Sequence, residues 1–210
     1  MLAACFPGAE IIGLDSSPEM IQLATASSIP ASWVMADVER WQPATTFDLV
    51  FSNALLQWVP DQAVLLSAIV RWLAPGGVIA IQVPANNTSS LHKALLTTAA
   101  SAKWQGAFSG ISDHLYYREP DYYHEVVEEH CHEVDVWETT YWHLLKDQQA
   151  IIDWYAGTGM RPWLDCISVE AQADFKKNVL TCAAPDYPLR SDGSVYFPFR
   201  RIFLTGFTKA

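Results

Sequence analysis

Four short apolar segments alternate with helix-forming segments in the first 83 residues, and this alternation strongly restricts the possible fold. The apolar segments lie at residues 11–14, 33–36, 47–52 and 78–83, and they carry almost no polar side chains. Such continuous apolar runs are typical of strands that are covered on both faces. Strands that alternate with helices predict an α/β fold with a doubly wound, mostly parallel sheet.

The helices between these strands have recognisable start signals. Ser16, Ser17, Pro18 and Glu19 place hydroxyl caps, a proline and an acid at the start of the first one. Asp61 is positioned to cap a second helix, which we expect to stop at residues 75–77. Together these signals support one Rossmann-like unit in the first half of the chain.

The second half contains an insert followed by further strands and helices. Residues 84–132 lack a clean strand pattern, and we expect a helical insert that acts as a lid, with its last helix at 122–132. Strands are predicted at 134–145 and 195–208, and helices at 148–156 and 170–180. With 210 residues, half of them hydrophobic, we expect a single domain over 1–210.

Charge and cysteine content exclude several classes of protein. The 13 basic and 23 acidic side chains give a formal net charge of −10, which argues against nucleic acid as a partner. No apolar run reaches the roughly 18 residues of a membrane span. Four cysteines without a Cys-x-x-Cys pair fit a reducing compartment, so we expect a cytoplasmic protein without a membrane partner. The sequence leaves the oligomeric state open.

Acidic residues follow two consecutive predicted strands. Asp15 follows the first strand and Asp37 follows the second. In doubly wound folds, ligands bind beyond the carboxyl ends of the strands. An acid there can accept hydrogen bonds from ribose hydroxyls or from an adenine amine. Each aspartate could instead serve only as a helix or turn cap.

Several motifs of the first half resemble those of class I S-adenosylmethionine-dependent methyltransferases, in the same order. They are Gly-Leu-Asp-Ser-Ser-Pro-Glu-Met at 13–20, Ala-Asp-Val at 36–38, Phe-Asp-Leu-Val-Phe-Ser-Asn at 47–53 and Leu-Ala-Pro-Gly-Gly at 73–77. Tryptophan-containing segments at 53–58, 134–141 and 151–164 are similar to those of trans-aconitate 2-methyltransferases. The similarity runs over nearly the whole chain.

The resemblance implies S-adenosyl-L-methionine as the cofactor and a monomethyl ester of trans-aconitate, or of a similar small polycarboxylate, as the product. It assigns Asp15 to the ribose and Asp37 to the adenine, with residues 53–58 beside the methyl group. No catalytic residue is expected, because a carboxylate is already ionised at neutral pH. The expected cofactor-binding residues are Asp15, Ser16, Met20, Asp37, Val38, Asn53, Gln57 and Trp58.

One departure from the family pattern concerns its first strand and glycine-rich loop. In the family both precede the position that corresponds to Phe6, and Gly8 and Gly13 do not replace them. We expect the strand ending at Asp15 and the strand ending at Ser52 each to have one unpaired edge. A misplaced start codon, a truncated gene and a rearranged fold are all compatible with this pattern.

An anionic substrate requires positive and hydrogen-bonding side chains. Among the candidates, Arg161 is favoured, since it lies between Gly159 and Pro162 with Trp163 adjacent; any single arginine could instead be a surface charge. The expected substrate-binding residues are His114, Tyr116, Tyr117, Arg118, Arg161, Arg200 and Arg201.

Other functions remain as alternatives. The chain could methylate another small acid, or it could be a remnant that acts without a cofactor as an interaction or structural protein. A nicotinamide-dependent dehydrogenase shares the fold but not the tryptophan-rich second half. A zinc site is not expected, because residues 124–132 lack the usual ligand spacing, although they include His124, Glu128, His130, Cys131 and His132.

Overall fold

Strands and helices alternate along the chain in the predicted α/β order. The computed structural model describes residues 2–111, 113 and 115–210. The strands are β1 (Ile12–Asp15), β2 (Ser32–Met35), β3 (Phe47–Asn53), β4 (Leu73–Pro84), β5 (Glu133–Leu145) and β6 (Val195–Phe207). The helices are α1 (Leu2–Cys5), α2 (Pro18–Thr25), α3 (Gln62–Arg71), α4 (Ser90–Ala99), α5 (Pro120–Glu128), α6 (Gln148–Ala156), α7 (Arg161–Leu164) and α8 (Val169–Ala183).

The strands pair in two groups. β1 and β2 form a parallel pair, in which Asp15 lies opposite Met35. The other four strands form a sheet in the order β3-β4-β6-β5. β3 and β4 are parallel, whereas β6 runs antiparallel to both of its neighbours, β4 and β5. The parallel pairs therefore come from the first half of the chain, and both antiparallel pairs include β6, from the second half.

The cap signals in the sequence function as predicted. The Ser17 hydroxyl accepts a hydrogen bond from the Met20 N–H at 3.3 Å, and Pro18 occupies the first turn of α2. Asp61 caps α3 by accepting from the Val64 N–H at 3.3 Å. Each cap satisfies an amide that would otherwise lack a partner at a helix start.

Two hydrophobic cores stabilise the molecule. The first packs α3 and α5 against one face of the four-stranded sheet and includes Leu66, Ile79 and Val127. The second packs α4, α6, α7 and α8 around the beginning of β6, with Phe175 at its centre. Along β4 the odd-numbered residues 79, 81 and 83 belong to the first core. The even-numbered side chains, Gln82 among them, therefore project from the opposite face of the sheet.

The first fifty residues are much less buried than the remainder. None of residues 2–51 is buried, and the exposed apolar side chains there include Ile12, Met20, Leu23 and Met35. Within the described part of the chain, β1 and β3 each have only one strand partner, which is the pair of unpaired edges that we expected.

Some predicted boundaries differ from those in the structure. β4 begins at Leu73 rather than at 78, because Leu73 pairs with Phe47 of β3 before an irregularity, after which the pairing resumes between Leu49 and Val78. α3 correspondingly ends at Arg71, before the predicted stop at 75–77. The predicted helix at 122–132 is α5, which ends at Glu128 because the chain turns there into β5. Among the described residues, no helix is long and apolar enough to cross a membrane.

Candidate active site

The ends of β1 and β2 bring Asp15 and Asp37 close together. The Ala36 N–H donates to the Asp15 carbonyl at 3.1 Å, which places Asp37 just beyond the residue paired with Asp15. Asp15 Oδ1 accepts from the Ser17 N–H at 2.8 Å, and Asp37 Oδ1 accepts from the Glu39 N–H at 3.0 Å. Both carboxylates are exposed, and Asp37 Oδ2 also lies 3.7 Å from Nε of the exposed Arg40. They therefore cap local turns and can also accept hydrogen bonds from a ligand.

The neighbouring residues expected to bind the cofactor lie on two different surfaces. Ser16 and Met20 are exposed at the start of α2. Val38 is partly buried against the core beneath α3. The structure thus places Val38 behind the strand end, where it supports the loop that carries Asp37.

The segment after β3 is held in a constrained conformation. Ala54 adopts a φ of +57°, which is unusual for a residue with a Cβ and occurs often at functional sites. Its N–H donates to the Gln82 carbonyl at 2.9 Å, and its carbonyl accepts from Gln57 Nε2 at 2.6 Å. Asn53 and Trp58 flank this turn and are exposed, so the segment presents polar and aromatic groups at the carboxyl end of β3.

Buried polar atoms without a hydrogen-bond partner are concentrated near the carboxyl ends of β3 and β4. Buried polar groups in proteins are normally paired, so such a concentration is a mark of a ligand site. Within the described residues these atoms include Ser52 Oγ, Gln57 Oε1, Gln82 Nε2, Asn86 Nδ2 and Asn87 Oδ1.

Arg201 lies on the same sheet face as Gln82. Its Nη1 donates to Gln82 Oε1 at 2.6 Å, and its guanidinium carbon lies 4.7 Å from the centre of the Phe199 ring and 5.8 Å from that of Tyr141. Burial lowers the pKa of Arg201. None of the ion pairs found within the described part of the chain involves Arg201. Its charge is therefore available to an anionic ligand.

Arg200 is directed to the opposite side of β6 and is already neutralised. It pairs with Glu138 and, at 2.6 Å, with Glu119. These two carboxylates raise the pKa of Arg200, with the hydrogen bond to Glu138 contributing most. Arg200 therefore holds β5 and the start of α5 together and has little capacity left for a substrate.

Arg118 and Arg161, the other two candidate arginines, are exposed. Arg161, the first residue of α7, has its Nε 3.7 Å from Asp165, which follows the helix, and its side chain is 74% accessible. Arg118 lies over the Tyr122 ring at 5.2 Å. The pKa of Glu19, at the start of α2 beside the end of β1, is lowered mainly by the Ser17 hydroxyl and to a smaller extent by the charge of Arg161, so Arg161 lies within electrostatic reach of that strand end. Among the described residues no contact relates Arg118 to the strand ends, and the roles of both arginines in substrate binding remain predictions.

Tyr116 contacts the turn after β3 and the start of α3. The Tyr116 N–H donates to the Gln57 carbonyl at 2.7 Å, and the Tyr116 carbonyl accepts from Gln62 Nε2 at 2.6 Å. Tyr117 packs edge-on against His92, and burial raises the pKa of its phenol. The remaining candidate in this segment, His114, lies outside the described residues.

His92 and Gln82 are polar residues of this region that were not predicted from the sequence. His92 is buried in α4, where Nδ1 contacts the Tyr155 hydroxyl at 2.7 Å and Nε2 contacts Asp113 at 2.7 Å. Gln82 interrupts an otherwise apolar strand. That interruption was visible in the sequence and could have identified Gln82.

The histidines near the end of α5 engage separate partners. His124 pairs with Glu128 at 3.3 Å, His130 contacts Ser67 at 3.2 Å, and His132 contacts the Phe207 carbonyl at 2.8 Å. Across residues 2–111, 113 and 115–210, no three potential ligands are grouped so that they could hold a metal ion.

Comparison with known proteins determines the family. The model of one protein family, described as a methyltransferase domain, matches residues 1–81. A trans-aconitate 2-methyltransferase of Methylobacterium radiotolerans is 40% identical over 97% of this chain and 80% of its own length. The chain belongs to the trans-aconitate 2-methyltransferase family.

Further members of the trans-aconitate 2-methyltransferase family match to a similar extent. The enzymes of Azoarcus sp. and Escherichia coli are 34% and 36% identical, each over 97% of this chain. Among solved structures, the YcgJ protein of Bacillus subtilis has a TM-score of 0.60 at 13% identity, covering 96% of this chain and 83% of that protein. These likenesses confirm the Rossmann-like methyltransferase fold.

A second solved structure was determined with S-adenosylmethionine. Phosphoethanolamine N-methyltransferase 2 of Haemonchus contortus has a TM-score of 0.54 at 17% identity, covering 99% of this chain and 44% of that protein. Because the identity is low, this similarity shows that the two proteins share a fold and nothing more.

Proposed function

We propose that the chain is an S-adenosylmethionine-dependent O-methyltransferase that forms the monomethyl ester of trans-aconitate or of a similar small polycarboxylate. The observation that carries the choice of an acidic substrate is Arg201, a partly buried guanidinium without an acidic partner in the described residues. In a protein with a formal net charge of −10, a local positive site is needed to hold an anion.

The residues at the strand ends fit the adenosine part of the cofactor. Asp15 and Asp37 are exposed acceptors on neighbouring strand ends, suited to ribose hydroxyls and to the adenine amine. Bound S-adenosylmethionine supplies a sulfonium methyl group, and its transfer to a carboxylate oxygen gives a methyl ester and S-adenosylhomocysteine. The remaining proposed contacts come from Ser16, Met20, Val38, Asn53, Gln57 and Trp58.

The protein's own task in this reaction is positioning. A substrate carboxylate is ionised at neutral pH, so no side chain has to remove a proton. Arg201 would hold the acid, while the constrained turn at Ala54 fixes the groups that line the reaction site. Exclusion of water by the aromatic side chains Tyr141 and Phe199 would strengthen the charge interaction.

The insert at residues 84–132 is proposed to act as a lid. The two hydrogen bonds of Tyr116, to Gln57 and Gln62, attach the insert to the turn after β3. Tyr117 is held against His92 of α4, the helix that precedes it in the same insert. Closure of this segment over the strand ends would separate the methyl group from bulk water.

The cysteines support a proposal about the cellular compartment. All four are free, and Cys5, Cys166 and Cys182 are exposed. Exposed thiols of this kind persist in a reducing compartment, so we propose a cytoplasmic location. A small carboxylic acid is the proposed partner, and neither nucleic acid nor membrane is proposed as one.

Two measurements test this function. Titration calorimetry with S-adenosylhomocysteine should show saturable binding, and incubation with S-adenosylmethionine and trans-aconitate should give a product heavier by one methylene. A panel of other small acids serves as the comparison. If another acid were methylated in preference to trans-aconitate, that acid would be the substrate. A folded chain that binds no cofactor would contradict the proposal and favour an interaction protein.

A further inference from the structure

Gln82 is a buried amide with one unpaired polar end. The residue is only 5% exposed, and its Nε2 has no hydrogen-bond partner among the described residues. An unpaired buried donor destabilises the folded state, so a folded protein seldom keeps one without a reason. The neighbouring β4 positions on this face are Ala80 and Pro84, which offer no side-chain acceptor. The amide is thus suited to donate to a ligand.

Arg201 determines which end of the Gln82 amide is free. A guanidinium has only donors, so its Nη1 must pair with the carbonyl oxygen Oε1 of the amide, at 2.6 Å. This contact directs the NH₂ group away from Arg201 and fixes it as the free donor. Gln82 and Arg201 are separated by 119 residues in sequence but lie on adjacent strands, β4 and β6.

We propose that Gln82 Nε2 and the Arg201 guanidinium form a subsite for a substrate carboxylate that is not methylated. The subsite offers only donors, which suits a carboxylate and excludes a cation. A carboxylate held by several charge-assisted hydrogen bonds is stabilised as an anion and becomes a poorer nucleophile. The other carboxylate of the same molecule remains free to react. This inference rests on the proposed function for the identity of the substrate.

The subsite also gives a physical reason for selectivity. A site that leaves two donors unpaired with the wrong ligand rejects that ligand more strongly than an apolar pocket does. Acids that lack the bound carboxylate should therefore bind poorly, even though they can reach the methyl group. The preference would be for dicarboxylates and tricarboxylates over monocarboxylates.

The test compares Gln82→Glu with Gln82→Met. Gln82→Glu retains the size of the side chain and an acceptor for Arg201, but it replaces the free donor by a negative oxygen. Gln82→Met retains the length alone. We expect trans-aconitate to bind at least about 100-fold more weakly to Gln82→Glu and about 10-fold more weakly to Gln82→Met. Calorimetry with S-adenosylhomocysteine present measures both dissociation constants.

Controls separate a subsite from a structural role. Gln42→Glu adds the same charge at an exposed position and should leave acid binding unchanged. The dissociation constant of S-adenosylhomocysteine should stay within about twofold in all variants, because no substitution changes a residue that is proposed to contact the cofactor. Mesaconate, glutaconate and itaconate each lack a different one of the three carboxylates of trans-aconitate. The affinity for the acid that lacks the bound carboxylate should fall least when Gln82 is replaced.

The outcomes distinguish the subsite from the proposed function. If acid binding depended on Gln82 but no methyl group were transferred, the subsite would be supported and the proposed function contradicted. If methyl transfer occurred and neither substitution changed acid binding, the proposed function would be supported and the subsite contradicted. Equal losses of affinity for all four acids, or the absence of acid binding to the unmodified chain, would also overturn the subsite.

Discussion

At the scale of single residues, Asp15 provides a direct test of the cofactor site. Asp15→Asn retains an oxygen that can accept from the Ser17 N–H, but it removes the charge. Because hydrogen bonds to a charged acceptor are the stronger ones, we expect S-adenosylhomocysteine to bind about 10- to 100-fold more weakly. Calorimetry provides the dissociation constants.

Asp48 is the matched control for this experiment. It is also exposed, but it lies near the start of β3, far along the strand from the carboxyl end. Asp48→Asn should therefore bind S-adenosylhomocysteine with unchanged affinity. If both variants lost affinity equally, net charge rather than a ribose contact would be the cause.

Gly206 tests the packing between β6 and α5. A Cβ at this position would meet Val127 at 2.9 Å, Ile79 at 3.0 Å and Cys131 at 3.1 Å, all from side chains of the first core or its edge. We expect Gly206→Ala to lower the free energy of unfolding by about 1–3 kcal/mol. Denaturant titration measures the change.

Gly106 is the corresponding control for packing. An added Cβ there would meet no atom within 4 Å. Gly106→Ala should change the free energy of unfolding by less than about 0.5 kcal/mol. A Gly206→Ala variant as stable as the original chain would mean that α5 can move away from the sheet.

Single residues could be predicted from the sequence where a short motif fixes their place. The Ser-Ser-Pro-Glu-Met segment located Asp15 at a strand end before a helix, and the structure places it there. No short motif shows which of the candidate arginines is placed to bind the substrate. Arg200 and Arg201 are adjacent in sequence, yet β-strand alternation sends one to two glutamates and the other to Gln82.

At the scale of elements, α6 depends on its N-terminal cap. Asp147 Oδ1 accepts from the Ala150 N–H at 2.8 Å and satisfies an amide at the start of the helix. Asp147→Ala should lower the free energy of unfolding by about 1 kcal/mol. Asp147→Asn keeps an acceptor and should recover most of that loss. If Asp147→Asn were as damaging as Asp147→Ala, the charge rather than the hydrogen bond would matter.

Most elements could be predicted because their patterns are local. The limits of α6 were predicted to the residue, and β5 and β6 to within one residue at each end. The start of β4 was missed because residues 73–77 include turn-forming residues, while Leu73 pairs with Phe47 of β3 ahead of an irregularity in the strand. Tertiary pairing can override a local turn signal in this way.

At the scale of the whole molecule, burial divides the chain into a loosely and a firmly held part. Residues 2–51 include no buried side chain, and β1 and β2 are only four residues long. By contrast, β5 and β6 are paired over thirteen residues each. We expect amide hydrogens of β1 and β2 to exchange much faster than those of β6, because local opening exposes little apolar surface there.

Hydrogen exchange followed by mass spectrometry checks this difference. Adding S-adenosylhomocysteine should slow exchange around Asp15 and Asp37 and leave β6 unchanged. Uniform protection along the chain would mean that the first fifty residues are as firmly packed as the two cores.

Contacts between residues that lie far apart in the sequence could not be predicted. The order of strands and helices, and the family resemblance, followed from patterns within about fifteen residues. The meeting of Gln82 with Arg201 depends on the antiparallel register of β4 and β6, which no local pattern specifies. The same holds for the contact of His92 with Tyr155, which joins two helices of the second core.

The path of β6 has a further consequence for how the protein unfolds. Its first residues, Val195 and Phe197, belong to the second core, and Ile202 and Leu204 belong to the first. One continuous strand is thus a structural part of both. Neither core can melt while the other keeps its full set of contacts, so the two should lose structure together in a single calorimetric transition.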